Sequence, residues 1–276
     1  MDYTTIQYEQ REHTACITLD RPECLNAIND VMVRELRDAY ERVESTESVW
    51  TLIVTGNGRA LCVGADVSKA PTADGEHKHW APGIDMQGEP ILSSYRQWDV
   101  PQEATPPYLQ MTKPILCAVN GIAAGAGLDL VTTADIAIAA DGATFFDPHV
   151  SIGVVSGREM VRMARMVPVG VAMRMALLGR KETISAARAF DLGLVTEVVS
   201  EDQLIERAWE LAGLINENSP LAVRGTRLAI RKGLALPINE AELLAESFRM
   251  RVAMTEDAQE GPAAFLEKRE PRWQVR

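Results

Sequence analysis

The chain has 276 residues, 46% of them hydrophobic and 24% charged, and a formal net charge of −11. This is enough length for one large core with a smaller appendage, and no run approaches the ~20 apolar residues that span a bilayer. The acidic balance disfavours nucleic acid or an anionic membrane as a main partner, since both need a basic face; an anionic small molecule held by a few local cations remains compatible.

The N-terminal stretch "MDYTTIQYEQREHTACITLD" lacks the basic and apolar blocks of a signal peptide and the Arg-rich character of a transit peptide, so a cytoplasmic location is expected. Cys16, Cys24, Cys62 and Cys117 are scattered without CxxC spacing, which suggests neither a zinc site nor a disulfide framework and fits reduced thiols.

Residues 14–20 alternate apolar and polar positions and read as a strand. A helical pattern follows over 28–44, with Ile28, Val31, Met32, Leu36, Ala39, Tyr40 and Val43 marking one face. Segments 49–56, 113–121, 135–140 and 144–146 are rich in β-branched and apolar residues and read as further strands. Strands interleaved with helices imply an α/β core. Three of the strands end in a turn dipeptide, Thr55-Gly56, Asn120-Gly121 and Asp141-Gly142, each followed by a short small or apolar stretch. The unequal intervals exclude a regular solenoid repeat, but strand, turn, short strand and helix told three times suggest successive turns of one spiral.

Residues 68–112 are dense in Pro and Gly and include Trp80, Trp98 and Tyr108. A partly helical, lid-like insertion that lines or covers a pocket is expected there, with a plain surface insertion as the alternative. From about 200 onward the pattern is helical, over 201–216, 220–233 and 238–256. The expected organisation is a spiral core over 1–199 and a helical oligomerisation region over 200–276.

"LCVGAD" (61–66) and "VNGIAAGAGLDL" (119–130) are the glycine-rich elements, and neither matches a phosphate loop or a dinucleotide fingerprint. Gly125-Ala126-Gly127 opening a helix would offer free N–H groups and a positive dipole end to a developing oxyanion; close helix–strand packing is the plainer explanation. Asp129 falls in the first turn of that helix, where the dipole alone favours an acid. His149, in "ATFFDPHVSIG", reads in isolation as a core histidine satisfied by a carbonyl. An acid beside an oxyanion-type turn, with a histidine at the next turn of the spiral, makes a general acid/base couple, although spacing does not bring the two together.

Five segments in order and spacing, "LDRPECLNAIND", "GRALCVGADVS", "KPILCAVNGIAAGAGLDLVTTADIAIAADGATFFDPHVSIG", "AFDLGLVTEVV" and "EGPAAFLEKREPRW", resemble the crotonase (enoyl-CoA hydratase/isomerase) family over nearly the whole chain. The resemblance implies a spiral of ββα turns with a C-terminal helical trimerisation region, assembled as a homotrimer or a dimer of trimers. It implies an acyl-CoA thioester as ligand and no cofactor or metal beyond that coenzyme A. The thioester oxygen would lie between the backbone N–H groups of Ala65 and Ala126. Coenzyme A would run along Cys24, Leu25, Ala27, Val63, Asp66 and Val67, with Lys268 matching a lysine that in relatives reaches it from a neighbouring subunit.

The departures from the family pattern fall at the reacting centre. The two glutamates that hold water in hydratases of this kind match Asp129 and His149. "SGREM" puts Arg158 and Glu159 where small residues are usual, and Glu159 is either a further acid or a helix N-terminal one. Hydration of an enoyl-CoA to a 3-hydroxyacyl-CoA is the leading expectation, with Asp129 on the water and His149 moving a proton near its ordinary pKa of ~6.5. Double-bond isomerisation, C–C bond hydrolysis of a β-keto compound, and a non-catalytic CoA- or RNA-binding relative are the alternatives.

Overall fold

The computed structural model describes residues 2–66 and 111–276. Val67, Trp80, Trp98 and Tyr108, and nearly all of the expected insertion, lie outside the described residues.

Strands β1 (Ile6–Arg11), β2 (Thr14–Leu19), β3 (Thr51–Gly56), β5 (Ile115–Val119), β7 (Ile136–Ala140) and β10 (Glu197–Val199) form one six-stranded sheet in the order β1-β2-β3-β5-β7-β10. The β1–β2 pair is antiparallel and every other pair in that sheet is parallel. A second sheet, β4 (Ala60–Cys62), β6 (Ile122–Ala124), β8 (Thr144–Phe146) and β9 (Ile184–Ser185), runs in that order. The turn dipeptides are where the chain passes from the large sheet to the small one: β3 to β4, β5 to β6, β7 to β8. Successive parallel pairs in both sheets build the spiral.

The strands read as apolar runs because both faces of the large sheet are covered. Side chains alternate between two cores. Leu52, Val54, Cys117, Val119 and Ala139 face the interior with Leu61, Leu128 and Phe145, while Ile53, Leu116, Ala118, Ile138 and Ala140 face outward. Helix α6 (Leu204–Asn216) covers the outward face with Leu204, Ala208 and Ala212.

Helix α6 is a layer of the core, and the helices that pack chiefly on one another are α7 (Pro220–Gly233), α8 (Ile238–Ala253) and α9 (Asp257–Glu267). Asp135, at the start of β7, ties α7 to the core by accepting from Arg227 Nε at 2.6 Å and Arg231 Nε at 2.8 Å. Helix α1 (Asp30–Ser45) is capped by Asn29, which accepts from the Met32 amide at 2.9 Å. Its buried face includes Val33 in place of the expected Val31, which is exposed. No helix among the described residues is long and apolar enough to cross a membrane.

Candidate active site

Three segments from successive turns of the spiral converge at the N-terminus of α2 (Ala126–Thr133). The first is the loop after β4. Gly64 O accepts from Ile28 N, and Asp66 N donates to Ile28 O, both at 2.9 Å. The groups on either side of Ala65 are thus spent on Ile28, so the alternation of an extended chain turns the Ala65 N–H to the opposite side.

The second segment is the Gly-Ala-Gly turn. Gly125 caps α2 at φ +52°, a conformation that favours glycine. A Cβ on Gly127 would sit 2.2 Å from the Cys62 carbonyl oxygen, so only glycine lets α2 start this close to β4. Ala126 is the first helical residue, and its N–H belongs to the set that has no acceptor within the helix. A Cβ built on Gly64 would lie 3.8 Å from the Ala126 nitrogen, so the two expected oxyanion donors come from adjoining loops.

The third segment follows β8. Pro148 caps a 3-10 turn formed by His149–Ile152. His149 Cε1 is 3.5 Å from the position a Cβ on Gly125 would take, which sets the imidazole against the turn that carries Ala126.

His149 is held by two acids. Its Nδ1 lies 2.5 Å from Asp147 Oδ1 and 3.0 Å from Glu159 Oε1. Both carboxyl groups are buried, and Oδ2 of Asp147 has no hydrogen-bond partner among the described residues. Ionised carboxylates only accept, so the Nδ1 proton is fixed on their side and Nε2 is the nitrogen left for other work. The hydrogen bond to Asp147, followed by that to Glu159, pushes the His149 pKa up to about 10 against the opposing effect of burial. These three groups, all within 4.8 Å of one another, are also a set able to ligate a divalent cation.

Asp129, buried in the first turn of α2, is engaged by helix α3 (Arg158–Met163). Arg158 Nη2 lies 3.0 Å from its Oδ2, and Arg162 Nη1 contacts its Oδ1. Each member of the expected Asp129–His149 pair has partners of its own. Arginines take up Asp129, and the carboxylates on His149 are Asp147 and Glu159. The physical reason is α3, whose adjacent Arg158 and Glu159 reach different targets. Glu159 is thus both a helix N-terminal acid and a partner of the imidazole.

Of the residues expected along coenzyme A, Cys24, Leu25 and Ala27 follow β2 and Val63 and Asp66 follow β4. Leu25 and Asn26 adopt left-handed conformations, φ 55° and 57°, and the buried Asn26 amide donates to Asn57 O and Ala60 O. Arg21 Nη1 reaches Ala27 O at 2.5 Å and Asp66 Oδ2 at 3.0 Å, joining the two loops. Cys24 and Val63 are half-buried; Lys268 is exposed and caps α9. Sequence reasoning passed over Arg21, Asp147 and Arg162. An Asp two residues before the histidine, and arginines four apart on one helix face, were the signals for the last two.

The site is thus an imidazole–carboxylate group set against a glycine-rich helix start in a two-sheet α/β spiral. The enoyl-CoA hydratase/isomerase family profile matches residues 9–276. The chain is 33% identical over 269 residues to the enoyl-CoA hydratase EchA19 of Mycobacterium tuberculosis, covering 97% of this chain and 96% of that one. It is also 33% identical to the crotonyl-CoA hydratase of Syntrophomonas wolfei, covering 98% and 97%. The crystal structure of an enoyl-CoA hydratase/isomerase from Mycobacterium paratuberculosis superposes with a TM-score of 0.87 at 55% identity, covering 99% of each chain. The chain belongs to the enoyl-CoA hydratase/isomerase family and has the crotonase fold.

Proposed function

We propose that the protein acts on acyl-CoA thioesters through an enolate stabilised by the Ala65 and Ala126 N–H groups, with His149 as the proton-transfer group. The observation that carries this reading is the imidazole against the Gly125 turn with its Nδ1 fixed by Asp147 and Glu159. A donor pair of this kind contributes roughly 3 kcal/mol per N–H in the transition state. An imidazole with a pKa near 10 is charged at neutral pH, so His149 enters the reaction as a general acid through Nε2.

The leading reaction is hydration of an enoyl-CoA to a 3-hydroxyacyl-CoA. Asp129, held between two guanidiniums, orients the water that adds to the β-carbon. His149 gives its proton to the α-carbon, and the proton released by the water restores the imidazolium. Relatives described as enoyl-CoA and crotonyl-CoA hydratases support this choice. The chemistry needs no group beyond the coenzyme A of the substrate. C–C bond hydrolysis is the second reading, and it is favoured by one observation: a histidine paired with acids stands where the hydratase pattern has a glutamate. Incubation with crotonyl-CoA, and separately with a cyclic β-keto thioester, separates the two. Loss of enoyl absorbance that 3-hydroxyacyl-CoA reverses supports hydration; a new free acid from the keto thioester supports hydrolysis.

Self-association as a trimer or dimer of trimers belongs to the same reading. Its support is the apolar exposure of the C-terminal helices at Ile230, Leu234, Ile238, Leu243, Met254 and Phe265. Sedimentation of the full chain tests it. A cytoplasmic site of action fits the four free thiols.

A further inference from the structure

His149 Nδ1 carries one proton and faces two carboxylates, with Asp147 Oδ1 at 2.5 Å and Glu159 Oε1 at 3.0 Å. The Asp147 side chain has no exposure and that of Glu159 keeps 8%, so water does little for either acid. Ionised carboxylates only accept, and a single N–H leaves one of the two short of a donor. Asp147 Oδ2, on the same carboxylate, is buried with no hydrogen-bond partner among the described residues. A buried polar atom left in that state calls for a ligand or ion to explain it. With the imidazole charged, one positive charge stands against two negative ones. A divalent ion in place of the Nδ1 proton equalises them.

We propose that Asp147, His149 and Glu159 bind one divalent transition-metal ion, Zn2+ fitting best, and that the bound ion takes His149 out of proton transfer. The second half rests on the acyl-CoA reading above; the site itself does not. An imidazole nitrogen with carboxylate oxygens suits zinc, whereas Mg2+ and Ca2+ take oxygen ligands. Zinc bonds of about 2.0–2.2 Å set ligand atoms roughly 3.0–3.5 Å apart. The three ligand atoms here already lie within 4.8 Å of one another, and small turns of the two acid side chains bring them to that spacing. An ion reaches them past the imidazole, whose side chain is 25% exposed. As the metal–Nδ1 bond forms, the Nδ1–H bond breaks and the proton leaves to solvent. The ring is then neutral and keeps only its Nε2 proton, so it no longer serves as an imidazolium acid.

The test is calorimetric titration of the full chain with Zn2+. His77 and His79, one residue apart in the sequence, are both replaced by Gln throughout so that they take no part. One ion per chain is expected, bound at least tenfold more weakly in each of His149→Gln, Asp147→Asn and Glu159→Gln, while millimolar Mg2+ does not compete. Thermal melts show which variants fold; should the fully buried Asp147 position not tolerate Asn, the other two decide. No binding of Zn2+ at submillimolar concentration, or a folded variant that binds as tightly as the reference, overturns the site. In D2O, saturating Zn2+ should slow exchange of the thioester α-hydrogen at least tenfold, and a chelator should restore it. Exchange unchanged with the ion bound overturns the effect on His149. No exchange by the zinc-free protein with any thioester overturns the acyl-CoA reading and leaves the metal site standing on calorimetry.

Discussion

Asp147 and His149 are two residues apart in the chain, and a carboxylate oxygen of the first meets Nδ1 of the second at 2.5 Å. Pro148 between them caps the 3-10 turn that starts at His149, so a local bend brings the two side chains together. The pair gives the imidazole a fixed orientation and a fixed proton, and the loss of either residue has separate consequences.

His149→Gln removes the titrating group but keeps a side chain of similar size. Turnover on a confirmed thioester should fall at least ~100-fold, the low end of what a general acid contributes. Steady-state kinetics beside a thermal melt checks this, and near-wild-type turnover would remove His149 from the reaction.

Asp147→Asn takes away the larger of the two influences that raise the His149 pKa to about 10. The pKa should move down toward 6.5, and the alkaline fall in activity should move with it. Asp147→Glu should restore part of the shift. A pH–rate profile of the three proteins reads this directly; a purely structural role for Asp147 would lower the rate without moving the profile.

The same shift has a stability consequence. The His149 pKa is raised in the folded state above its ordinary 6.5. Its contribution is therefore complete below about 6.5 and is lost as the pH rises through about 10. Melting temperatures of wild type and His149→Gln should converge between neutral pH and pH 10; a constant gap would show that the pair does not titrate there.

Gly127→Ala would place a methyl 2.2 Å from the Cys62 carbonyl oxygen. The clash should cost about 1–3 kcal/mol and push back the start of α2, with the Ala126 N–H. The variant should lose turnover well beyond what its melting temperature suggests, whereas a fully active variant would mean that Ala126 need not be held so close to β4.

Asp135→Asn removes the carboxylate that pairs with Arg227, only 5% exposed, and with Arg231. Breaking a buried pair in this way costs about 3–5 kcal/mol. Because Asp135 joins α7 to the core, the loss should appear in thermal unfolding and in hydrogen exchange at 220–253, before any change at the large sheet.

Much of the fold was legible because the strands are buried on both faces and carry apolar runs bounded by turn residues. The spiral showed in Thr55-Gly56, Asn120-Gly121 and Asp141-Gly142, since each sheet-to-sheet passage needs the same kind of turn. The role of α6 was not legible, because its apolar face looks the same whether it meets a sheet or another subunit. Lys113 reads as the polar start of a strand, yet its ammonium is buried on the carbonyls of Val43 and Thr46, closing the end of α1. At the site, Asp129 and His149 could be singled out one by one. Their partners come from α3, and helical spacing says which residues share a face but not what that face meets.

The central claim is that His149 moves a proton at the carbon next to a CoA thioester. The most direct measurement is deuterium uptake at that carbon, followed by mass spectrometry, when acyl-CoA thioesters are incubated with the protein in D2O. Wild type should exchange the α-hydrogen of one or more thioesters, and His149→Gln should do so at least ~100-fold more slowly. No exchange by wild type of any thioester it binds, or equal exchange by the two proteins, would contradict the claim.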